Sequence, residues 1–125
     1  MAGGVRQQRV AHVITRVIGV LLIGDLADTP LSAAVVQRVQ VSPDLRVATL
    51  YYTLYDASMK QEVAKQFEQH ARFIRGRVAK ELRHLRSVPE IRFAYDEASE
   101  KLSRLESLLE KEKRLIEENK KDEHD

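Results

Sequence analysis

The sequence predicts a two-layer α+β domain with a three-stranded sheet, helices on one face and an added C-terminal helix. Two observations lead there. Apolar residues recur at helical spacing, switch to alternation after residue 34, return to helical spacing, alternate again near residue 90, and finish helical. In addition, β-branched and aromatic residues concentrate in the alternating stretches, as strands prefer. At 125 residues the chain is long enough to bury a core of its own.

In "VAHVITRVIGVLLI", Val10, Val13, Ile14, Val17, Ile18 and Leu21 share one broad helical face, with Arg9, His12 and Arg16 on the other. Gly24 and Pro30 within "GDLADTPLS" mark the helix stop and a loop. "SAAVVQRVQVS" then alternates, with Val35, Val39 and Val41 on one side and Val36, Arg38 and Gln40 on the other. "LRVATLYYTLY" follows across Ser42-Pro43-Asp44. Proline presets φ in such a turn and Ser and Asp bond nearby amides, so the pair reads as a β-hairpin.

Two further helices are expected at 58–70 and 72–86. "VPEIRFAYD" supplies a third strand, with Ile91, Phe93 and Tyr95 alternating against Arg92 and Ala94 and Pro89 at its start. The domain is therefore placed at 5–97, a C-terminal helix at 98–118 and a disordered tail at 119–125. Leu102, Leu105, Leu109 and Ile116 form an apolar stripe on that last helix. It is expected to pack on its own domain, because Glu112 interrupts the heptad. The element order is α-β-β-α-α-β plus one helix.

Charge is unevenly spread. The net of +2 divides into +1 over residues 1–59, +5 over 60–92 and −4 over 93–125. The basic excess peaks in "RFIRGRVAKELRHLR" at 72–86, where six of fifteen residues are Arg or Lys and only Glu81 is acidic. On one helix, Arg72, Arg75, Arg83 and Arg86 fall within a sector of about 80°, beside Lys80, while Ile74, Val78, Leu82 and Leu85 face elsewhere. A solubility surface interleaves both signs; a stripe of one sign favours an anionic partner, and each arginine near a phosphate adds salt-dependent affinity.

Several classes are excluded. With no cysteine there is no disulfide, thiolate metal site or cysteine nucleophile. His12, His70, His84 and His124 lack metal-ligand spacing. No nucleophile context or phosphate-cradling glycine loop exists, so neither an enzyme nor a cofactor is expected. Asp96 reads as the cap of the last helix rather than one of a catalytic pair with Glu97. Tyr51, Tyr52 and Tyr55 read as core or sheet-surface packing rather than a base-stacking platform. The apolar run "VIGVLLIG" is too short to span a bilayer. No membrane association, a cytoplasmic location and a free monomer are the expectations.

The order α-β-β-α-α-β resembles the type II KH domain, an RNA-binding fold. Three stretches are similar to the bacterial ribosome-binding factor A family: "RVAHVITRVIGVLL", "VQVSPDLRVATLYYTL" and "RFIRGRVAKELRHLRSVPEIRFAYD". The resemblance implies a non-catalytic factor that binds the small (30S) subunit and its precursor 16S rRNA late in assembly, with importance in the cold. It implies a KH-like fold lacking the G-x-x-G loop, with a helix–helix kink often written Ala-x-Gly in its place. Here the kink positions read His70-Ala71-Arg72, and the nearest glycine is Gly76. "DTPLS" stands where the family often has Asp-Pro-Arg. Phosphate contacts are expected from Arg72, Arg75, Lys80, Arg83 and Arg86, with Arg38 or Arg46 near the hairpin and Arg9 and Arg16 on the first helix. A protein-interaction module docking or dimerising through its C-terminal helix is the competing reading.

Overall fold

A computed structural model describes residues 2–123. Its elements are helix α1 (Ala2–Ile23), strands β1 (Ala34–Val41) and β2 (Val47–Leu54), helix α2 (Lys60–Glu81), strand β3 (Glu90–Tyr95) and helix α3 (Glu97–Glu123), with short 3-10 turns before β1 and α2. The chain divides into two compact units, Met1–Tyr95 and Asp96–Asp125.

In the first unit the sheet order is β1-β2-β3, with β1 antiparallel and β3 parallel to the central β2. The helices cover one face. Ala48, Leu50 and Tyr52 of β2 point into it and are buried, as is Ile91 of β3. From α1 come Val10, Ile14, Ile18 and Leu21, and from α2 Val63, Phe67, Ile74 and Val78. Phe67 sits at the centre, 4.7 Å from the rings of both Tyr52 and Phe93. Leu26 and Leu31 in the connection after α1 complete the core. Thr29 caps the 3-10 turn there, accepting from the Leu31 amide at 3.2 Å.

The structure corrects three sequence expectations in this unit. First, the helices expected at 58–70 and 72–86 are one helix. No glycine or proline occurs between Lys60 and Arg75, Ala71 is buried, and the His70 ring lies 2.9 Å from the Gln66 carbonyl one turn back. Nothing at 70–72 favours a break, so the order becomes α-β-β-α-β-α. Second, α2 ends at Glu81. The Leu82 amide bonds the Val78 and Ala79 carbonyls while its side chain is drawn into the core, and the chain then turns toward buried Pro89. Third, the pairing register shifts between Val36 and Arg38. The extra residue puts Val36 opposite buried Tyr52 and against the core with Val39, so Val36 and not Val35 faces inward.

In the second unit, Asp96 caps α3 as expected. It accepts from the Ser99 amide at 3.2 Å and the Ser99 hydroxyl at 2.8 Å. Glu100 and Arg104 pair one turn apart. The helix continues through Glu123, beyond the expected end at 118, and 124–125 lie outside the described residues. Leu102, Leu105, Leu109 and Ile116 are each 50–56 % exposed.

Candidate nucleic-acid interface

The β1–β2 turn is built by its side chains. Pro43 follows Ser42, and the Leu45 amide bonds the Ser42 carbonyl at 2.9 Å. The Ser42 hydroxyl donates to Asp44 Oδ1 at 2.7 Å and accepts from the Val47 amide at 3.0 Å, while the Arg46 amide donates to Asp44 Oδ1 at 3.1 Å. The Ser42 hydrogen bond, then the Arg46 amide, hold the Asp44 carboxyl below its ordinary value of 3.8. Leu45 leaves this turn at φ 61°, a left-handed conformation that costs a side-chain-bearing residue about 1–2 kcal/mol. Its side chain packs against the core, which fixes the turn in place. The Arg46 carbonyl accepts from the Glu90 amide at 2.8 Å, joining the turn to the start of β3.

Two grooves border this turn. One, a shallow depression of about 540 Å³, is lined by Arg46, Arg75, Gly76, Ala79, Pro89 and Glu90. Arg75 is aimed by its own contact, Nη2 donating to the Ile91 carbonyl at 3.1 Å. Glu90 is paired to Arg92 at 3.3 Å. The second groove, of about 450 Å³, lies between the turn and the segment after α2, and collects Arg6, His84 and Arg86 with Asp44. Basic side chains outnumber acidic ones in each groove. Such a surface can hold successive phosphates of a nucleic-acid backbone by charge and hydrogen bonding.

The expected residues separate into groups. Arg46, Arg75 and Arg86 converge on the grooves. Arg83 and Arg86 are not on the helical stripe inferred for them, because α2 ends first. Arg83 instead folds back, its Nε donating to the Lys80 carbonyl at 3.1 Å, where a cation also complements the helix C-terminus. Lys80 and Arg72 are exposed on α2. Arg38 is elsewhere: it lies 4.3 Å over the Tyr51 ring on the sheet face opposite the helices. Arg16 pairs with Glu81 at 3.7 Å, and neighbouring Arg77 with Asp25 at 3.0 Å, so that flank is charge-compensated. Arg9 is exposed on α1.

Arg6 does not stand out in the sequence, and His84 reads there as solvated. Neither carries a local signal, since α1 must first be laid beside residues 42–46 and 84–87. The three tyrosines also part company, with Tyr52 buried in the core, Tyr51 under Arg38 and Tyr55 94 % exposed. Burial, then the charge of Tyr95, pushes the Tyr52 hydroxyl above its ordinary range. Among the described residues no cluster of His and carboxylate side chains could hold a metal ion, and no helix is long and apolar enough to cross a membrane.

Comparison with known proteins decides the family. The ribosome-binding factor A profile matches residues 6–109, which include both strands of the hairpin, α2 and both grooves. The chain belongs to the ribosome-binding factor A family. It is 36 % identical to ribosome-binding factor A of Francisella philomiragia over 120 residues, covering 93 % of this chain and 83 % of that one. It is also 36 % identical to that of Brucella ovis over 107 residues, covering 83 % and 71 %. Among solved structures, the ribosome-binding factor A of Thermus thermophilus superposes with a TM-score of 0.60 at 19 % identity, over 71 % of this chain and 94 % of that one. A Thermotoga maritima protein superposes with a TM-score of 0.54 at 23 % identity, over 73 % and 83 %. The fold is thus the KH-like α+β fold of the ribosome-binding factor A family.

Proposed function

We propose that this protein is a non-catalytic assembly factor of the small (30S) ribosomal subunit, binding precursor particles through 16S rRNA phosphates. The observation that carries the reading is the pair of basic grooves flanking one rigid turn, with Arg6, Arg46, Arg75 and Arg86 drawn from separate parts of the chain. Membership of a family named for ribosome binding supplies the target.

The mechanism follows from what the grooves contain. Their cationic side chains suit phosphate oxygens, contacts that position a backbone without reading its sequence. Selectivity then comes from the shape of folded rRNA, whose backbone must present phosphates on both sides of the turn. Arg75, held by the Ile91 carbonyl, is already oriented before binding and loses less freedom on contact. Binding retains an immature rRNA arrangement, and loss of that arrangement releases the protein. Residence in the cytoplasm accords with this role.

The test is co-sedimentation of the purified protein with small subunits and with whole ribosomes across a salt series. Retention on small subunits, weakening as salt rises, is expected. Arg46→Ala and Arg86→Ala should each weaken binding and reduce the slope of log K against log salt by roughly 0.7–0.9. Binding that ignores both substitutions while the protein stays folded would overturn the assignment.

A further inference from the structure

The groove between the β1–β2 turn and the segment after α2 contains one group whose charge is not fixed. Arg6, Asp44, His84 and Arg86 line it together with Leu45 and Leu85, all of them in the first unit. Gln7 Nε2 donates to the Val41 carbonyl at 2.8 Å, which holds the start of α1 against the end of β1 and brings Arg6 to the groove. Leu82 is buried, Leu85 packs against the core, and the Leu85 amide bonds the Leu82 carbonyl at 3.0 Å. His84 lies between these two anchors, so its backbone is fixed while its side chain lines the groove. The ring of His70 meets the Gln66 carbonyl, whereas His84 makes no hydrogen bond among the described residues of the first unit.

Charge decides what this histidine can do. Around it stand Arg6 from α1, Asp44 from the turn and Arg86 from its own segment. Arg83 beside it is turned back onto the Lys80 carbonyl, and Arg46 lies 3.9 Å from Asp44 Oδ2. With the imidazole neutral, two arginines against one carboxylate leave the groove a net charge of +1, and protonation doubles it. Asp44 does not titrate in competition, because the Ser42 hydroxyl and then the Arg46 amide hold its carboxyl below 3.8. Arginine keeps its charge, whereas histidine is the ordinary side chain that changes charge between about pH 5 and 8. A phosphate oxygen accepts a hydrogen bond from a protonated ring nitrogen and favours the charged form.

We propose that His84 is a phosphate ligand of this groove and binds as the imidazolium, so that rRNA binding takes up a proton. This rests on the rRNA reading above and adds to it a regulation by pH. By linkage, a group that phosphate holds protonated contributes fully at low pH, and its contribution is lost as pH rises through the bound-state value. Histidine ordinarily titrates near about 6.5, so the loss falls between about pH 6 and 8.

The test is co-sedimentation of the full chain with isolated small subunits across that pH range at constant ionic strength, for the parent, His84→Gln and His84→Arg. Parent affinity should fall about three- to tenfold from the acid to the alkaline end. His84→Gln should bind throughout as weakly as the parent does at the alkaline end, and His84→Arg throughout as tightly as the parent does at the acid end. The parent's slope of log K against log salt should also be steeper at the acid end, by up to about 0.7–0.9. His12→Gln, on α1 and lining neither groove, should keep the parent's pH dependence. His84 lies outside the core, so its variants keep the fold. Salt-dependent binding that stays level with pH, or an equal fall in His84→Gln, would overturn the proposal and leave the rRNA reading standing. No binding to small subunits at any pH would overturn both.

Discussion

Arg75 Nη2 donates to the Ile91 carbonyl at 3.1 Å, tying the middle of α2 to β3 while the rest of the guanidinium faces a groove. Five N–H donors let one arginine serve both purposes. Arg75→Ala should therefore lower unfolding stability by about 1 kcal/mol as well as weaken subunit binding. Arg72, exposed on the same helix with no such tie, should change stability by less than about 0.5 kcal/mol on replacement by Ala. Urea melts of the two variants measure the difference. Equal stability for both would show that the Arg75 contact is not held in solution.

Asp44 supports a prediction with a definite sign. Its carboxyl is held below 3.8 in the folded protein by the Ser42 hydroxyl and the Arg46 amide. A depressed folded value means that the carboxylate stabilises the fold above the unfolded value, and that this is lost as pH falls through the folded one. Asp56, depressed by the Ser58 hydroxyl and amide, acts in the same direction. Melting temperature should thus fall on acidification below about pH 4. In Asp44→Asn that fall should be shallower, with a lower starting value at neutral pH. A parallel acid limb in wild type and variant would refute the role given to this carboxylate.

These cases show what the sequence could and could not announce. The Ser42–Asp44 turn, the inward face of α1 and the Asp96 cap were legible because each is decided within a few residues. The register shift beside Gln37 was not, since no glycine marks it and either alternation of valines looks acceptable until Tyr52 is paired. The end of α2 was also hidden. Leu82 and Leu85 suit a continuing helix as well as a turn drawn into the core. The arginine stripe inherited that error, so Arg83 and Arg86 were grouped by a helical phase they do not share. Arg6 needed tertiary structure to be seen at all, lying far from Arg86 in the chain yet beside the same groove.

Leu45 provides a test in which glycine should outperform alanine. At φ 61° any Cβ is disfavoured, and the leucine offsets this by packing on the core. Leu45→Ala removes the packing and keeps the backbone penalty, whereas Leu45→Gly removes both. Both variants should be less stable than the parent, with Gly above Ala by about 1 kcal/mol. Chemical denaturation at neutral pH measures this. An alanine variant more stable than the glycine one would show that the left-handed conformation is not populated in solution.

Gly76 separates folding from binding on one residue. It sits within α2, where glycine costs about 1 kcal/mol relative to alanine, and a Cβ built there meets nothing within 4 Å. It also lines the same groove as Arg46 and Arg75. Gly76→Ala should raise unfolding stability by up to about 1 kcal/mol, roughly 4 °C in melting temperature for a chain of this size. A single methyl in a groove of about 540 Å³ leaves room for a phosphate, so subunit binding should persist. Gly76→Glu places a carboxylate in the same space and should repel the backbone, weakening binding most at low salt, where screening is least. Differential scanning calorimetry and co-sedimentation of the two variants make the comparison. Loss of binding with glutamate but not alanine would locate the phosphate path between Arg46 and Arg75, and full binding by both would remove this groove from the interface.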